Sequence, residues 1–184
     1  MKTLRTYNIS KQLPNVETDR LYFKIVEMSD VDFIHQLYSD WRVSQHLGKV
    51  PFPFGYEDAK RTTSHCVSKE STEDTMTLLI KKKDGNRTIG IITLRKDGEL
   101  GILGYSILPE FWNMGFATEA CKRIVNFGFE YLELSTIRAS TTENNIASMK
   151  VLEKIGFSLR ENGIKENSIH SGERLVRKYQ IQSQ

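Results

Sequence analysis

Two Asp-Gly pairs, Asp84-Gly85 and Asp97-Gly98, divide one stretch of the chain into three runs, TMTLLIKKK, RTIGIITLRK and ELGILGYSIL. A two-residue turn between strands needs backbone angles that Gly, Asn and Asp tolerate, so each pair predicts a hairpin. Two hairpins in succession make three antiparallel strands in order, and any fold for this chain must accommodate that meander. The third run is almost unbroken in its apolar character and contains Gly101 and Gly104. It reads as a central strand with a bulge or a close backbone approach at the glycines.

Other segments frame the meander. RLYFKIV (Arg20 to Val26) alternates Leu21, Phe23 and Ile25 with polar or amphipathic residues and predicts an opening strand. SDVDFIHQLYSDWRVSQHLG begins with Ser29 and Asp30 as helix caps and spaces Val31, Ile34, Leu37, Tyr38 and Trp41 at helical intervals, with a break near Ser39 and Asp40. VPFPFGY, with two of the four prolines, is a loop that packs over the core or lines a pocket, and Glu57 to Lys69 reads as a weakly periodic helix. After the meander, Ala117, Ala120, Cys121, Ile124 and Gly128 form one helical face, with Glu119, Lys122, Arg123, Asn126 and Glu130 opposite. A short strand (Ser135 to Thr141), a helix in NNIASMKVLEKIGF ended by Gly156, and strands near Phe157 to Ile164 and Arg174 to Ile181 complete the chain.

The 184 residues suit a single domain over 1–184, with a core of about 16–181. Hydrophobic residues at 39% and charged residues at 27% are ordinary for a soluble protein. A net charge of +3, with basic and acidic residues interleaved, argues against nucleic-acid binding. Cys66, Cys121 and the four histidines have no metal-ligand spacing, so reduced thiols, no metal and a cytoplasmic location are expected. The opening MKTLRTYNISKQLPNVETDR is too polar for a signal-peptide core, and no apolar run approaches a membrane span.

The most informative junction is EFWNMGFATEACKRIVNFGF (Glu110 to Phe129), where the apolar run gives way to the helix at Gly115. A helix starting just beyond a central strand turns its free N–H groups and positive dipole end toward whatever lies past the strand. Gly115, Ala117 and Thr118 are small enough for a phosphate to reach the main chain, and backbone donors need few basic side chains beside them. The same residues also serve a tight turn and close helix packing. Neither GK[ST] nor GxGxxG is present.

WNMGFA (Trp112 to Ala117) fits Q/R-x-x-G-x-G/A, the pyrophosphate-binding pattern of the GNAT superfamily of acyl-CoA-dependent N-acetyltransferases, at Gly115 and Ala117 but not at Trp112. FWNMGFATEA is similar to the corresponding run of the branch that acetylates ribosomal-protein N-termini, with Asn113 and Met114 replacing a glycine and a basic residue. VETDRLYFK, LGYSILPEFW and NNIASMKVLEKIGF extend the resemblance over roughly Val16 to Ile181.

The resemblance implies a GNAT fold of α/β (α+β) class: a mixed, mostly antiparallel twisted sheet of about six to seven strands flanked by about four helices. It implies acetyl-CoA as co-substrate, with pyrophosphate on the N–H groups of Asn113, Met114, Gly115, Phe116, Ala117 and Thr118. By the same likeness the pantetheine arm lies along Ser106, Ile107 and Leu108, an N–H near Ile107 or Leu108 polarises the thioester, and Asn145 bonds to the arm. Ser148 is the implied proton donor to the leaving thiolate, and Tyr105 is the alternative. Asn145, Ser148 and Leu152 share one helical stripe, although a helix cap also explains Asn145.

Many relatives have an acidic base where this chain has Ile102, so Glu99, Glu110, Glu143, the more distant His170 or a water relay remain. Met114 removes one attraction for phosphate while the main-chain donors persist. The resemblance implies an acceptor that is a protein N-terminus or a small amine such as a polyamine, amino acid or antibiotic, and a monomer or homodimer. A coenzyme A-binding module without catalysis is the competing reading.

Overall fold

A computed structural model describes residues 16–70 and 75–183, and the opening segment weighed above as a targeting signal begins outside them. Seven strands form one sheet: β1 (Leu21–Ile25), β2 (Thr75–Lys82), β3 (Thr88–Asp97), β4 (Leu100–Ile107), β5 (Thr136–Thr142), β6 (Ser158–Ser168) and β7 (Gly172–Gln182). Their order is β1-β2-β3-β4-β5-β7-β6. Among the described residues only the β4–β5 pair is parallel. Gly85 (φ 72°) and Gly98 (φ 61°) occupy the left-handed region in the two turns, but neither Asp does, and the first connection is longer than two residues, with a 3-10 turn at Asp84–Asn86 between Lys82 and Thr88.

The described residues hold five α-helices rather than about four: α1 (Val31–Tyr38), α2 (Trp41–Ser44), α3 (Tyr56–Glu70), α4 (Phe116–Tyr131) and α5 (Ile146–Lys154). The extra helix arises at the break near Asp40, whose carboxylate accepts from the Arg42 N–H at 2.9 Å and caps α2. α1 and α3 pack together, with α3 against β2, while α4 covers β3 and β4 on the other face and α5 meets β5. Helices on both faces explain why Met76 through Ile80 of β2 are buried without alternation.

The α4 face read from the sequence is the buried one: Ala120, Cys121 and Ile124 are completely covered. Burying a residue such as Ile124 contributes about 1.5–3 kcal/mol, which exceeds the roughly 1 kcal/mol that Gly128 costs inside a helix. A Cβ at Gly128 would come within 3.0 Å of Ile137 and Leu94, so the missing side chain lets the helix sit close to the sheet.

β4 carries no bulge, because its register with β3 runs unbroken from Gly90↔Ile107 to Asp97↔Leu100. At Gly101 the close approach comes from side chains, with Leu134 only 2.7 Å from where a Cβ would stand, whereas Gly104 faces open space.

Candidate active site

β4 and β5 pair only from Leu100↔Thr136 to Ile102↔Arg138, although the strands continue to Ile107 and Thr142. Beyond Ile102 they part, and Leu103 to Ile107 keep β3 on one side with no strand among the described residues on the other. The Leu108 N–H donates to the Ile89 carbonyl at 2.9 Å. Antiparallel pairing alternates, so at Ile107 the main-chain groups turn away from β3 and into the gap. This narrows one sequence expectation: the Leu108 donor is already engaged, whereas Ile107, like Leu103 and Tyr105 before it, turns its N–H toward the opening. The Ile107 carbonyl accepts from the Trp112 indole Nε1 at 2.7 Å, tying the strand end to the turn before α4.

Side chains leave β4 alternately for the two faces. Tyr105 points toward α4 and α5, where its hydroxyl lies 2.9 Å from Ser148 Oγ. Burial and the neighbouring Cys121 push the Tyr105 phenol well above its ordinary pKa, outweighing the Ser148 hydrogen bond, so it stays protonated. The two candidate proton donors therefore form one hydroxyl pair. The Asn145 side chain caps α5 by accepting from the Ser148 N–H at 3.1 Å, which leaves its amide N–H groups as the only donors it can turn to a ligand.

Ser106 points to the opposite face, beside the partly buried Tyr38 of α1. The register carries the same face onto β5, where Thr142 meets His46 from the segment after α2, with Nδ1 3.0 Å from Thr142 Oγ1.

At the start of α4, Gly115 adopts φ 81°, and Asn113 before it is also left-handed at φ 61°. The Glu119 N–H makes the first helical bond to the Gly115 carbonyl at 3.0 Å, so the N–H groups of Phe116, Ala117 and Thr118 have no intrahelical acceptor. Met114 is more than half exposed. The cation lacking there arrives from the far end of the sequence: Arg20 donates from Nη1 to the Met114 carbonyl at 3.1 Å and from Nε to Glu119 at 2.7 Å. Its guanidinium lies 4.5 Å from the centre of the Phe116 ring. Thr18 also donates to Glu119, at 2.5 Å. Burial opposes ionisation of Glu119, but the Thr18 and Arg20 hydrogen bonds outweigh it and hold the carboxyl below its ordinary pKa.

Residues 20–158 match the acetyltransferase (GNAT) domain family. The chain belongs to the GNAT family. It is 30% identical to the uncharacterized N-acetyltransferase YoaA of Bacillus subtilis (strain 168) over 147 residues, covering 78% of this chain and 82% of that one. Its fold resembles a Vibrio cholerae spermidine N-acetyltransferase solved with CoA and spermine, with TM-score 0.76, 18% identity and coverage of 90% and 96%. It also resembles a Salmonella typhimurium acetyltransferase that modifies the N-terminal serine of ribosomal protein L7/L12, with TM-score 0.78, 14% identity and coverage of 91% and 97%.

Within this GNAT fold the carboxylates considered as bases are dispersed. Glu110 pairs with Arg87 at 2.7 Å. Glu99 stands beside the β3–β4 turn, at the opposite end of β4 from the gap. Glu143 follows Thr142 and anchors its N–H on the Leu175 carbonyl at 3.1 Å. His170, on the β6–β7 hairpin, packs edge-on against Trp41 with ring centres 5.1 Å apart. Sequence reading gave Arg20, Tyr38 and His46 no role at the site: Arg20 entered only within VETDRLYFK, Tyr38 only as a position on a helical face, and His46 only among histidines without metal-ligand spacing.

Proposed function

We propose that this GNAT protein transfers the acetyl group of acetyl-CoA to a primary amine by direct attack within a ternary complex. The observation that carries the reading is the opening between β4 and β5, with Ile107 on its edge, the Tyr105–Ser148 pair on one face and the α4 N-terminus at its end. The donor set suits acetyl-CoA: an unpaired strand edge for an extended arm and free N–H groups with an uncrowded Gly115 for phosphates. When bound, acetyl-CoA supplies the activated thioester. Ile107 N–H stabilises the negative charge that develops on the carbonyl oxygen. The Tyr105–Ser148 pair supplies the proton to the departing thiolate, and the Asn145 amide holds the arm.

The likeness of FWNMGFATEA to the N-terminal-acetylating branch supports a protein N-terminus as acceptor. The spermidine enzyme of similar fold makes a small polyamine the second acceptor to assay.

The test is thermal unfolding with and without acetyl-CoA, using coenzyme A as control, followed by thiol release with Ser- and Ala-initiated peptides and spermidine. Ligand at a hundred times its Kd stabilises by about 2.7 kcal/mol, or roughly 5–10 °C in a domain of this size. Absence of a shift at low salt would overturn the reading.

A further inference from the structure

The acid side of the reaction has a hydroxyl pair, whereas Glu110 and Glu119 are ion-paired with Arg87 and Arg20, and Glu99 stands at the far end of β4. The two faces of the gap differ. Leu103, Tyr105 and Ile107 lie under α4 and α5, so that face is filled. On the other face Gly104 has no atom within 4 Å of a Cβ position and Ser140 is exposed, which leaves room for an amine to approach.

His46 belongs to this open face. Ile102 and Arg138 are the last paired residues of β4 and β5, and both strands continue without register shifts. Ser106 lies four residues beyond Ile102, and Thr142 four beyond Arg138, about 13 Å along each arm. Equal even spacing returns both side chains to the same face, across the opening from one another. Thr142 is the residue that contacts His46.

We propose that His46 is the proton acceptor for the amine, an inference that rests on the acetyl-transfer reading above. In the tautomer whose Nδ1–H donates to Thr142 Oγ1, Nε2 keeps its lone pair, and it has no hydrogen-bond partner among the described residues. Nε2 removes one proton from the ammonium group. The freed nitrogen lone pair forms the N–C bond, the C–S bond breaks, and the thiolate takes a proton from the Tyr105–Ser148 pair. The remaining excess proton on nitrogen restores that pair, while His46 releases its proton to water.

The surroundings keep the imidazole neutral. Burial first, and then the Arg174 cation, hold its pKa below the ordinary histidine value. From β7, Arg174 donates from Nη1 to the His46 carbonyl at 2.7 Å and pairs with Glu166 of β6 at 3.2 Å. The other nearby titratable groups are Asp40, paired with Arg42 on the α2 side, His170 beside Trp41, Tyr38 of α1 and Glu143 after Thr142. The expected rate–pH profile has an acid limb that rises as His46 loses its proton, at a pH below the ordinary histidine pKa.

The experiment compares wild type, His46→Gln, His46→Ala and Thr142→Val. The acceptor is whichever of a Ser-initiated tetrapeptide, an Ala-initiated tetrapeptide or spermidine gives turnover; if none does, enzyme-dependent hydrolysis of acetyl-CoA is followed, with water as acceptor. His46→Gln should lower kcat by about 100-fold or more and remove the acid limb, while the coenzyme A thermal shift stays at the wild-type value. Added imidazole should restore part of the His46→Ala rate, which a purely structural histidine would not allow. Retention of both rate and acid limb in His46→Gln overturns the proposal. If His46→Gln fails to fold, the decision passes to Thr142→Val, whose unaltered acid limb would overturn it. A wild-type protein that shows no coenzyme A shift fails the acetyl-transfer reading itself, and this proposal with it.

Discussion

Gly115→Ala separates what the left-handed glycine does for the fold from what it does for a ligand. At φ 81° an alanine is strained by about 1–2 kcal/mol. Crowding adds little, because the nearest atom to the new Cβ is Arg20 Nη2 at 3.4 Å, an ordinary contact. In a domain of this size the unliganded midpoint should fall by roughly 2–8 °C. The added methyl also stands over the N–H groups assigned to phosphate. A tenfold loss of affinity reduces ligand stabilisation from about 2.7 kcal/mol at a hundred times Kd to about 1.4 kcal/mol at the same concentration. The coenzyme A-induced shift in Tm should therefore halve. Gly98→Ala is the control: it replaces a glycine at φ 61° with open space around it, in the β3–β4 turn at the opposite end of β4 from the start of α4. It should lower the unliganded midpoint similarly and keep the full ligand shift. If Gly115→Ala lowers stability but keeps the whole shift, Gly115 is a turn residue and phosphate does not lie on its loop.

Tyr105→Phe and Ser148→Ala should each lower kcat, and the double variant should lose much less than the product of the single effects, because the hydroxyls 2.9 Å apart act as one donor. Multiplicative losses in kcat would refute a shared proton. Arg20→Gln should cost under about 1 kcal/mol of stability, since that side chain is 49% exposed, yet raise the KM for acetyl-CoA several-fold with kcat unchanged. Its acid unfolding should also begin at higher pH. Glu119 contributes stability above the ordinary carboxylate pKa that is lost as pH falls through its lowered value, and loss of Arg20 raises that value. Gly90→Ala places a Cβ 2.5 Å from the Ser106 carbonyl oxygen and 2.6 Å from Ile107 Cδ1. Moving the end of β4 to relieve this should cost about 1–3 kcal/mol and lower kcat by displacing the Ile107 N–H; a variant with wild-type kcat would refute that donor.

Local chemistry made much of this fold legible. The Asp-Gly turns announced β2 to β4 because both glycines need positive φ, and the buried stripe of α4 showed in its helical spacing. Asn145 could be read as a cap from its place before IASMKVLEK, and the structure shows that cap. The β4–β5 opening was not derivable in the same way. Its parallel pairing joins residues brought together by the intervening α4 crossover, and its short extent follows from tertiary packing rather than local propensity. His46 illustrates the same limit, because its contact with Thr142 spans 96 positions and has no periodicity to betray it.

The scarcity of positive charge around Gly115 has its explanation in sheet order. In an antiparallel meander, the start of β1, the end of β2, the start of β3 and the end of β4 share one margin of the sheet. Arg20, Lys82 and Arg87 occupy the first three of those places, and α4 begins just past the fourth. Lys82 and Arg87 both face the Phe111 ring, while Arg20 faces Phe116. Arg20 and Arg87 are neutralised by Glu119 and Glu110, so they brace the loop more than they attract anions from a distance. Affinity for phosphate then depends mainly on main-chain donors held in place, with only weak dependence on salt. Met114→Lys supplies the missing cation and tests this division. Coenzyme A affinity should rise at low salt and return toward wild type as salt screens the exposed charge, whereas an equal gain at high salt would mean that Met114 itself obstructs the site.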